Sequence, residues 1–295
     1  VAALITTSVA TADTATPPYD PAGHYIGIYT ASNLVPPKSK LGPDGIPEVE
    51  YPTIGYQKNP VTVEQYGLWA YGMTLYKPDD PSYRAVAVKM ADWLIAHQGK
   101  DGSWRYAFPI SFDGVSMKAG WASAMAQGQA MSLFERVYKL TGDETYKTAA
   151  IRALLPLKKT EAQGGLKICF LGNCALPWLE EYPSTPPSYV LNGFMYTMIG
   201  IYDLATIAPG SAAMHLYELC RKTLDVALPK YNVHNLSAYD LTFITVKSQK
   251  PQIPRQGYVW AHVNLLRALD SLQPDATYRR YADLWAKNVL RAPKD

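Results

Sequence analysis

The sequence predicts a mainly α protein: an α/α barrel (toroid) of about four αα-hairpins, with a short β-hairpin and an extended N-terminal arm. Three observations predict it. Apolar residues recur at helical spacing in segments that fall into four consecutive pairs with short connections. Strand-like runs are too few for a sandwich, and neither GxGxxG nor GxxxxGK(S/T) marks a nucleotide-binding sheet. The stretch QGKDGSW, residues 98–104, is similar to the Gly-Trp turn that joins helices in such toroids. Each hairpin has an apolar face that it cannot bury alone. A ring of hairpins buries the inner faces and leaves the loops at one rim; an irregular bundle is the alternative.

The elements follow in chain order. VAALITTSVATADTATPP is apolar, then small, then Pro-rich, with Ala10-Thr11-Ala12 as an A-x-A cleavage site. Residues 1–15 therefore read as a signal-peptide remnant, or a disordered tail, and the signal reading places the protein in a secreted or extracytoplasmic location. Residues 16–60 carry Pro, Gly and Tyr without helical period and form an extended arm with two short strands. Residues 61–295 are the helical domain. Its first pair is Val61–Tyr76 and Pro81–His97, the latter with Val86, Met90, Trp93 and Leu94 on one face. Trp121–Leu140 ends at Thr141-Gly142, and Asp143 caps a helix reaching about Leu155. GGLKICFLG and GNCALPWLEEYP read as a hairpin, in which Cys169 and Cys174 could close a short disulfide loop and leave Cys220 free. Ser188 caps a helix through Leu204, and Ser211–Leu228 follows. Residues 230–257 are irregular before the last pair, Tyr258–Leu272 and Asp275–Leu290.

Composition narrows function. With 48% hydrophobic and 18% charged residues among 295, the chain is an ordinary folded protein. No run of 18 apolar residues predicts a membrane span. A net charge of +3 without a basic stripe gives no footprint for nucleic acid. No CxxC or HExxH is present and the five His are scattered, so neither a metal site nor a cofactor is expected. The chain has 22 Tyr against 6 Phe. Most of these stand in for Phe in the core, and a surplus with polar tips suits a wet cleft for a polar ligand.

Three constellations could carry chemistry. Trp178-Leu179-Glu180-Glu181-Tyr182-Pro183 puts two carboxylates and a Tyr in a Pro-braced loop before a helix N-terminus. Gln127 and Gln129 interrupt a helix of Ala, Met and Gly, where an amide either satisfies buried backbone or lines a polar cleft. Tyr239-Asp240-Leu241 precedes GYVWAHVN, in which Tyr258 and His262 share a helix face. A single His there is more often structural than catalytic.

EEYPSTPPSYVLNGFMYTMIGIYDL, with WASAMAQGQAMSLFERVY before it and YDL…GYVWAHVNLL after it, resembles the C-terminal catalytic domain of the D-glucuronyl C5-epimerases. The resemblance covers roughly Asp92 to Leu290, and IGYQKNPVTVEQYGLWAY is similar to the start of that catalytic region. The chain runs almost directly from Tyr76 into its next helix, so the β-rich domain of animal members is absent, as in a compact bacterial-type relative. The resemblance implies an isomerase that converts D-glucuronate in heparosan-like polymers to L-iduronate. One group removes the C5 proton and another returns a proton from the opposite face. It also implies an acidic polysaccharide as partner and a homodimer.

Carried over by position, the resemblance places Glu181, Tyr182, Tyr239 and Tyr258 in the acid/base cluster. Tyr258 would serve one face of C5 and Glu181 the other, with Tyr239 the rival of Glu181. Tyr182 would position or neutralise the substrate carboxylate. Tyr56 and Tyr66 would contact sugar from the arm side, and Gln127, Gln129, Asn192, His262 and Asn264 from the helices. Thr242 follows YDL where animal members have Arg, leaving Arg105, Lys118 and Arg255 as candidates for the missing cation. A lyase would form the same carbanion and then expel the C4 substituent. A non-catalytic glycan-binding domain would have lost the acid/base groups that are present here. A hydrolase would need two carboxylates across the cleft.

Overall fold

The computed structural model describes residues 17–26, 39–112, 115–246 and 248–295. The signal-like residues 1–15 and part of the arm lie outside the described residues. The fold is the expected α/α toroid of helical hairpins. Its helices are α1 (Pro60–Tyr76), α2 (Pro81–His97), α3 (Ala124–Thr141), α4 (Glu144–Ala153), a short α5 (Leu155–Lys158), α6 (Leu191–Ile207), α7 (Ala213–Tyr231), a short α8 (Thr242–Thr245), α9 (Gln256–Leu272) and α10 (Ala276–Asn288). Helices α1, α3, α6 and α9 pack on one another in chain order as an inner layer, backed by α2, α4, α7 and α10.

Burial separates the two layers. Helix α2 buries only Ala87, Met90, Ala91 and Leu94, one stripe of an amphipathic helix. In α1 the buried set runs from Pro60 through Met73 with only Tyr66 left out, so the segment is an inner helix enclosed on every side. Helices α3 and α6 are enclosed in the same way.

Local chemistry sets the ends. Asn59, Asp80, Asp143 and Asp275 each cap a helix by accepting a backbone N–H. Pro60 and Pro81 sit where a missing N–H costs nothing. One expected cap is wrong: Val190, not Ser188, is the N-cap of α6, and the Ser188 hydroxyl donates to Glu180 at 3.3 Å instead. In the QGKDGSW turn, the Trp104 indole donates to the Leu94 carbonyl at 2.8 Å, and the Gln98 amide donates to Ala149 at 3.1 Å, tying α2 to α4.

The strands are short. The arm carries three rather than two: β1 (Lys40–Leu41), β2 (Pro47–Tyr51) and β3 (Gly55–Gln57), paired antiparallel in that order. Antiparallel pairs β4 (Ile110–Phe112) with β5 (Val115–Met117), and β8 (Asn232–Val233) with β9 (Leu236–Ser237), lie in the loops. The expected hairpin is β6 (Lys167–Phe170) with β7 (Asn173–Leu179), aligned Lys167 to Leu179. Cys169 and Cys174 form a disulfide at its tip, and Cys220 is free and buried.

Two features hold the inner layer. Helices α3 and α6 approach backbone to backbone: a Cβ on Gly200 would lie 1.9 Å from the Gly128 carbonyl oxygen. At the C-terminal ends of the inner helices, residues 19–23 of the arm are tied to all four. Tyr19 N–H donates to Ser271 of α9 at 2.8 Å and Tyr19 hydroxyl to Asp203 of α6 at 2.7 Å. Tyr71 of α1 donates to the Ala22 carbonyl at 2.7 Å. Arg136 of α3, fully buried, pairs with Asp203 at 3.1 Å and donates to the Tyr19 hydroxyl and the Gly23 carbonyl. The Tyr19, Tyr25 and Tyr71 rings lie within 5.3–5.8 Å of its guanidinium.

Removing that cation leaves Asp203 buried without a counter-charge, while Glu135 keeps only Lys139. Arg136→Met should therefore cost about 3–5 kcal/mol in chemical denaturation, the scale for breaking a buried ion pair from one side. A loss below about 1 kcal/mol would show that the strap does not carry the fold.

Candidate active site

The opposite ends of the same four helices, their N-termini, form the rim where the predicted site residues lie. Strand β7 delivers Glu180, Glu181 and Tyr182. The Glu180 backbone accepts the Ala124 N–H at the start of α3 at 2.9 Å and donates to the Leu166 carbonyl at 3.0 Å. Its carboxyl accepts from the Ser188 hydroxyl and from the Tyr189 N–H at 3.1 Å. Glu180 thus braces the loop from within, and its neighbour is left for other work.

Glu181 is buried, and its Oε2 has no hydrogen-bond partner. That oxygen lies against Gly193 in the first turn of α6, where a Cβ would stand only 2.2 Å from it. Burial pushes the Glu181 carboxyl up to about 7, against a hydrogen bond from Tyr182 that pulls it down. The Tyr182 hydroxyl lies near that of Tyr239 and pulls its phenol down against the larger effect of burial. The Tyr239 and Tyr258 rings meet edge to face, centroids 5.7 Å apart. Tyr239 is held by its backbone, donating to Gln252 at 2.8 Å and accepting the first N–H of α6 at 3.0 Å. Burial first, and then the Glu181 charge, raises all three phenols, Tyr258 to about 12.

An aromatic wall backs the cluster. Tyr106 stacks on Trp121 at 3.8 Å, Trp121 packs on Tyr182 at 5.8 Å, and Phe112 meets Tyr182 edge-on at 4.8 Å. The Tyr106 hydroxyl donates to the Asn59 cap of α1 at 3.2 Å.

The structure brings Glu181, Tyr182, Tyr239 and Tyr258 together and distributes the other predicted residues unevenly. Gln129 of α3 is fully buried with neither end of its amide bonded, and Asn192 of α6 is buried with a free Oδ1. Gln127 is committed to structure: it donates to Gly102 and Ala153 carbonyls at 2.9 and 2.8 Å and accepts from Trp104 N–H. His262 is buried, its Nδ1 2.7 Å from the Ser237 hydroxyl, and burial lowers it to about 3, so it is neutral. Asn264 is half-buried farther along α9. Arg105 donates to the Gly120 carbonyl and pairs with Asp101 at 2.7 Å, half exposed. Lys118 and Arg255 are exposed. Tyr56 is exposed on β3 with Lys40 over its ring, and Tyr66 packs on Trp69 at 5.2 Å. The Thr242 hydroxyl donates to Asp240 at 2.7 Å.

Tyr106, Gly193 and the buried Glu64 of α1 escape the sequence reading. Gly193 had a signal, since a glycine inside an apolar helix costs about 1 kcal/mol against Ala unless something approaches closely. Tyr106 sits in no motif, and Glu64 lies inside IGYQKNPVTVEQYGLWAY with no role assigned to it there.

The geometry defines a buried carboxyl among un-ionised phenols at the N-terminal rim of an α/α toroid. The profile of the D-glucuronyl C5-epimerase C-terminus matches residues 97–287, well over half of the chain. The chain belongs to that family. It is 34% identical over 209 residues to a D-glucuronyl C5-epimerase of Caenorhabditis elegans, covering 66% of this chain and 33% of that protein. An uncharacterised protein of Methanocaldococcus jannaschii is 27% identical over 249 residues, 79% of this chain and 78% of its own. Among solved structures, a polysaccharide lyase aligns over 80% of this chain and 39% of its own, with a TM-score of 0.39 and 12% identity.

Gly193→Ala tests the seat of Glu181. The added methyl should push the carboxyl out of its buried position, so that its pKa drops from about 7 toward the ordinary carboxylate range. Titration of ¹³C-labelled Glu side chains, with Glu181→Gln for assignment, reads this directly. An unmoved titration would mean that the carboxyl does not depend on the glycine.

Proposed function

We propose that this chain epimerises D-glucuronate to L-iduronate at C5 in a heparosan-like uronate polymer, using two groups on opposite faces of the sugar. One observation carries the reading: a buried carboxyl with a free oxygen and a pKa near neutrality stands among hydroxyls that hold their protons. A general base works best with its pKa close to the operating pH. At pH 7 Glu181 is about half ionised, whereas a phenol at about 12 is ionised in roughly one molecule in 10⁵, a deficit of about 7 kcal/mol. Glu181 therefore suits the base and Tyr258 the acid, and the raised phenol of Tyr239 makes it the weaker rival as base.

In the proposed step the C5–H bond breaks and its proton passes to Glu181. The electron pair delocalises into the uronate carboxylate, and Tyr258 gives a proton to C5 from the other side. In this reading the Tyr182 and Tyr239 hydroxyls hydrogen-bond the charge that develops on that carboxylate. Proton exchange with water between turnovers returns the proton from Glu181 and reprotonates Tyr258. The Cys169–Cys174 disulfide suits an extracytoplasmic setting, where such bonds persist.

Incubation with heparosan in heavy water, followed by NMR, tests the reaction. C5 of glucuronate should acquire deuterium and iduronate signals should appear without chain shortening. Unsaturated uronate ends with no epimer would assign the chain to a lyase. Tyr258→Phe should reduce epimerisation at least ~10²-fold, while Glu181 continues to exchange the proton on its own face.

The pH profile supplies a separate check. Only ionised Glu181 accepts a proton, so kcat/KM should decline about tenfold per pH unit below about 7. In Glu181→Gln the residual rate should lose this limb.

A further inference from the structure

Glu64 is the buried acid that the proposed reaction leaves unused. It lies on α1, fully enclosed, and neither carboxyl oxygen has a hydrogen-bond partner. No described lysine or arginine forms an ion pair with it, and burial alone favours its un-ionised form. A carboxyl held this way is a cost to the fold unless something fills its bonds.

Its position points to what fills them. Helix α1 starts at Asn59, whose side chain holds the Tyr106 hydroxyl at 3.2 Å. Tyr106 stacks on Trp121, and Trp121 on Tyr182, so the first turns of α1 are anchored to the aromatic wall of the acid/base cluster. Glu64 and Glu181 both lie within electrostatic reach of the one Tyr106 phenol. The adjacent inner helix α3 adds Gln129, enclosed and unbonded at both ends of its amide. Unbonded polar groups of α1 and α3 thus lie buried within the first two turns of helices whose N-termini form the rim that carries Glu181.

We infer that Glu64, in its acid form, binds substrate by donating a hydrogen bond to the carboxylate of the uronate at this site. The inference rests on the proposed uronate chemistry. An un-ionised acid has one O–H to give, and a carboxylate is the strongest acceptor that a uronate offers. The bond also places a donor where negative charge grows as the C5 proton leaves. This is the task for which the sequence suggested an arginine or lysine; Arg105 is instead paired with Asp101, and Lys118 and Arg255 are exposed.

Calorimetry with a heparosan oligosaccharide and its carboxyl-reduced counterpart tests it. The wild-type chain should prefer the uronate form. Glu64→Met should erase that preference by roughly tenfold or more, and Glu64→Gln, which keeps a neutral donor, should retain it within roughly threefold. The melting temperature of Glu64→Met should hold or rise, because an unsatisfied buried carboxyl is gone; a purely structural Glu64 would lower it. Should the Met variant fail to fold, the ¹³C carboxyl resonance of Glu64 in the wild-type chain, assigned with Glu64→Gln, decides. It should shift with the uronate oligosaccharide and not with the reduced one. An unmoved resonance, or a preference untouched in Glu64→Met, overturns the inference. The heavy-water experiment is independent: lost C5 exchange with an intact Glu64-dependent preference would overturn the proposed reaction and leave the binding role standing.

Discussion

The structure depends on one buried cation. Arg136 sits on α3 with no exposure, and five acceptors converge on it: Asp203 from α6, the Tyr19 hydroxyl and the Asp20 and Gly23 carbonyls from the arm, and the Ser132 carbonyl one turn back. A guanidinium without such partners could not be buried. The arrangement works because Arg offers donors in several directions while aromatic faces surround its plane. It seats Tyr19, Tyr25 and Ile26 in the core, and through Tyr71 and Ser271 the same short stretch spans from the first inner helix to the last. Secured at their C-terminal ends, the four inner helices can leave their N-terminal ends open.

That division of labour explains why polar groups can be left unbonded at the rim. Inner helices α1, α3 and α6 are covered on nearly every side, so a polar residue on them must be satisfied from within or by a ligand. Gln127 and Gln129 show both outcomes two residues apart. Gln127 ties α3 to the Gly102 and Ala153 carbonyls, and Gln129 is bonded to nothing. Glu180 and Glu181 repeat the contrast in adjacent positions. One carboxyl accepts from Ser188 and Tyr189, and the other keeps an oxygen free beside Gly193. The loop carrying both is fastened at its far end by Tyr189, whose hydroxyl accepts from Leu171 N–H and donates to the Cys169 carbonyl at the disulfide-closed hairpin.

The surplus of tyrosine has a physical use at both ends of the barrel. At the strap, Tyr19 and Tyr71 give ring faces to Arg136 and hydroxyls to Asp203 and Ala22. At the rim, Tyr106, Tyr182, Tyr239 and Tyr258 give ring packing and protons together. Phe could do only the first of these tasks. Burial raises every one of the rim phenols, which keeps their protons in place and leaves Glu181 as the group that titrates near neutrality.

The sequence by itself determined what repeats locally or is spelled by a motif. The four helical pairs were legible from apolar periodicity, the capping aspartates and the prolines at helix starts, and the β6–β7 hairpin from its Gly borders. The cluster of Glu181, Tyr182, Tyr239 and Tyr258 was legible because EEYP, YDL and GYVWAH keep a recognisable order. Tertiary structure alone decided how enclosed each helix is, since the pattern of α1 reads like a surface stripe until α2, α3 and the arm surround it. It decided which of two neighbouring polar residues stays free, because partners such as Ser188, Tyr189 and Ala153 are distant in sequence. For the same reason it separated Gln127 and His262, absorbed into structural bonds, from Gln129, and brought Glu64 and Tyr106 to the rim. Periodicity and motifs report on a few residues at a time, whereas hydrogen-bond satisfaction and burial depend on chain segments that meet only when the barrel forms.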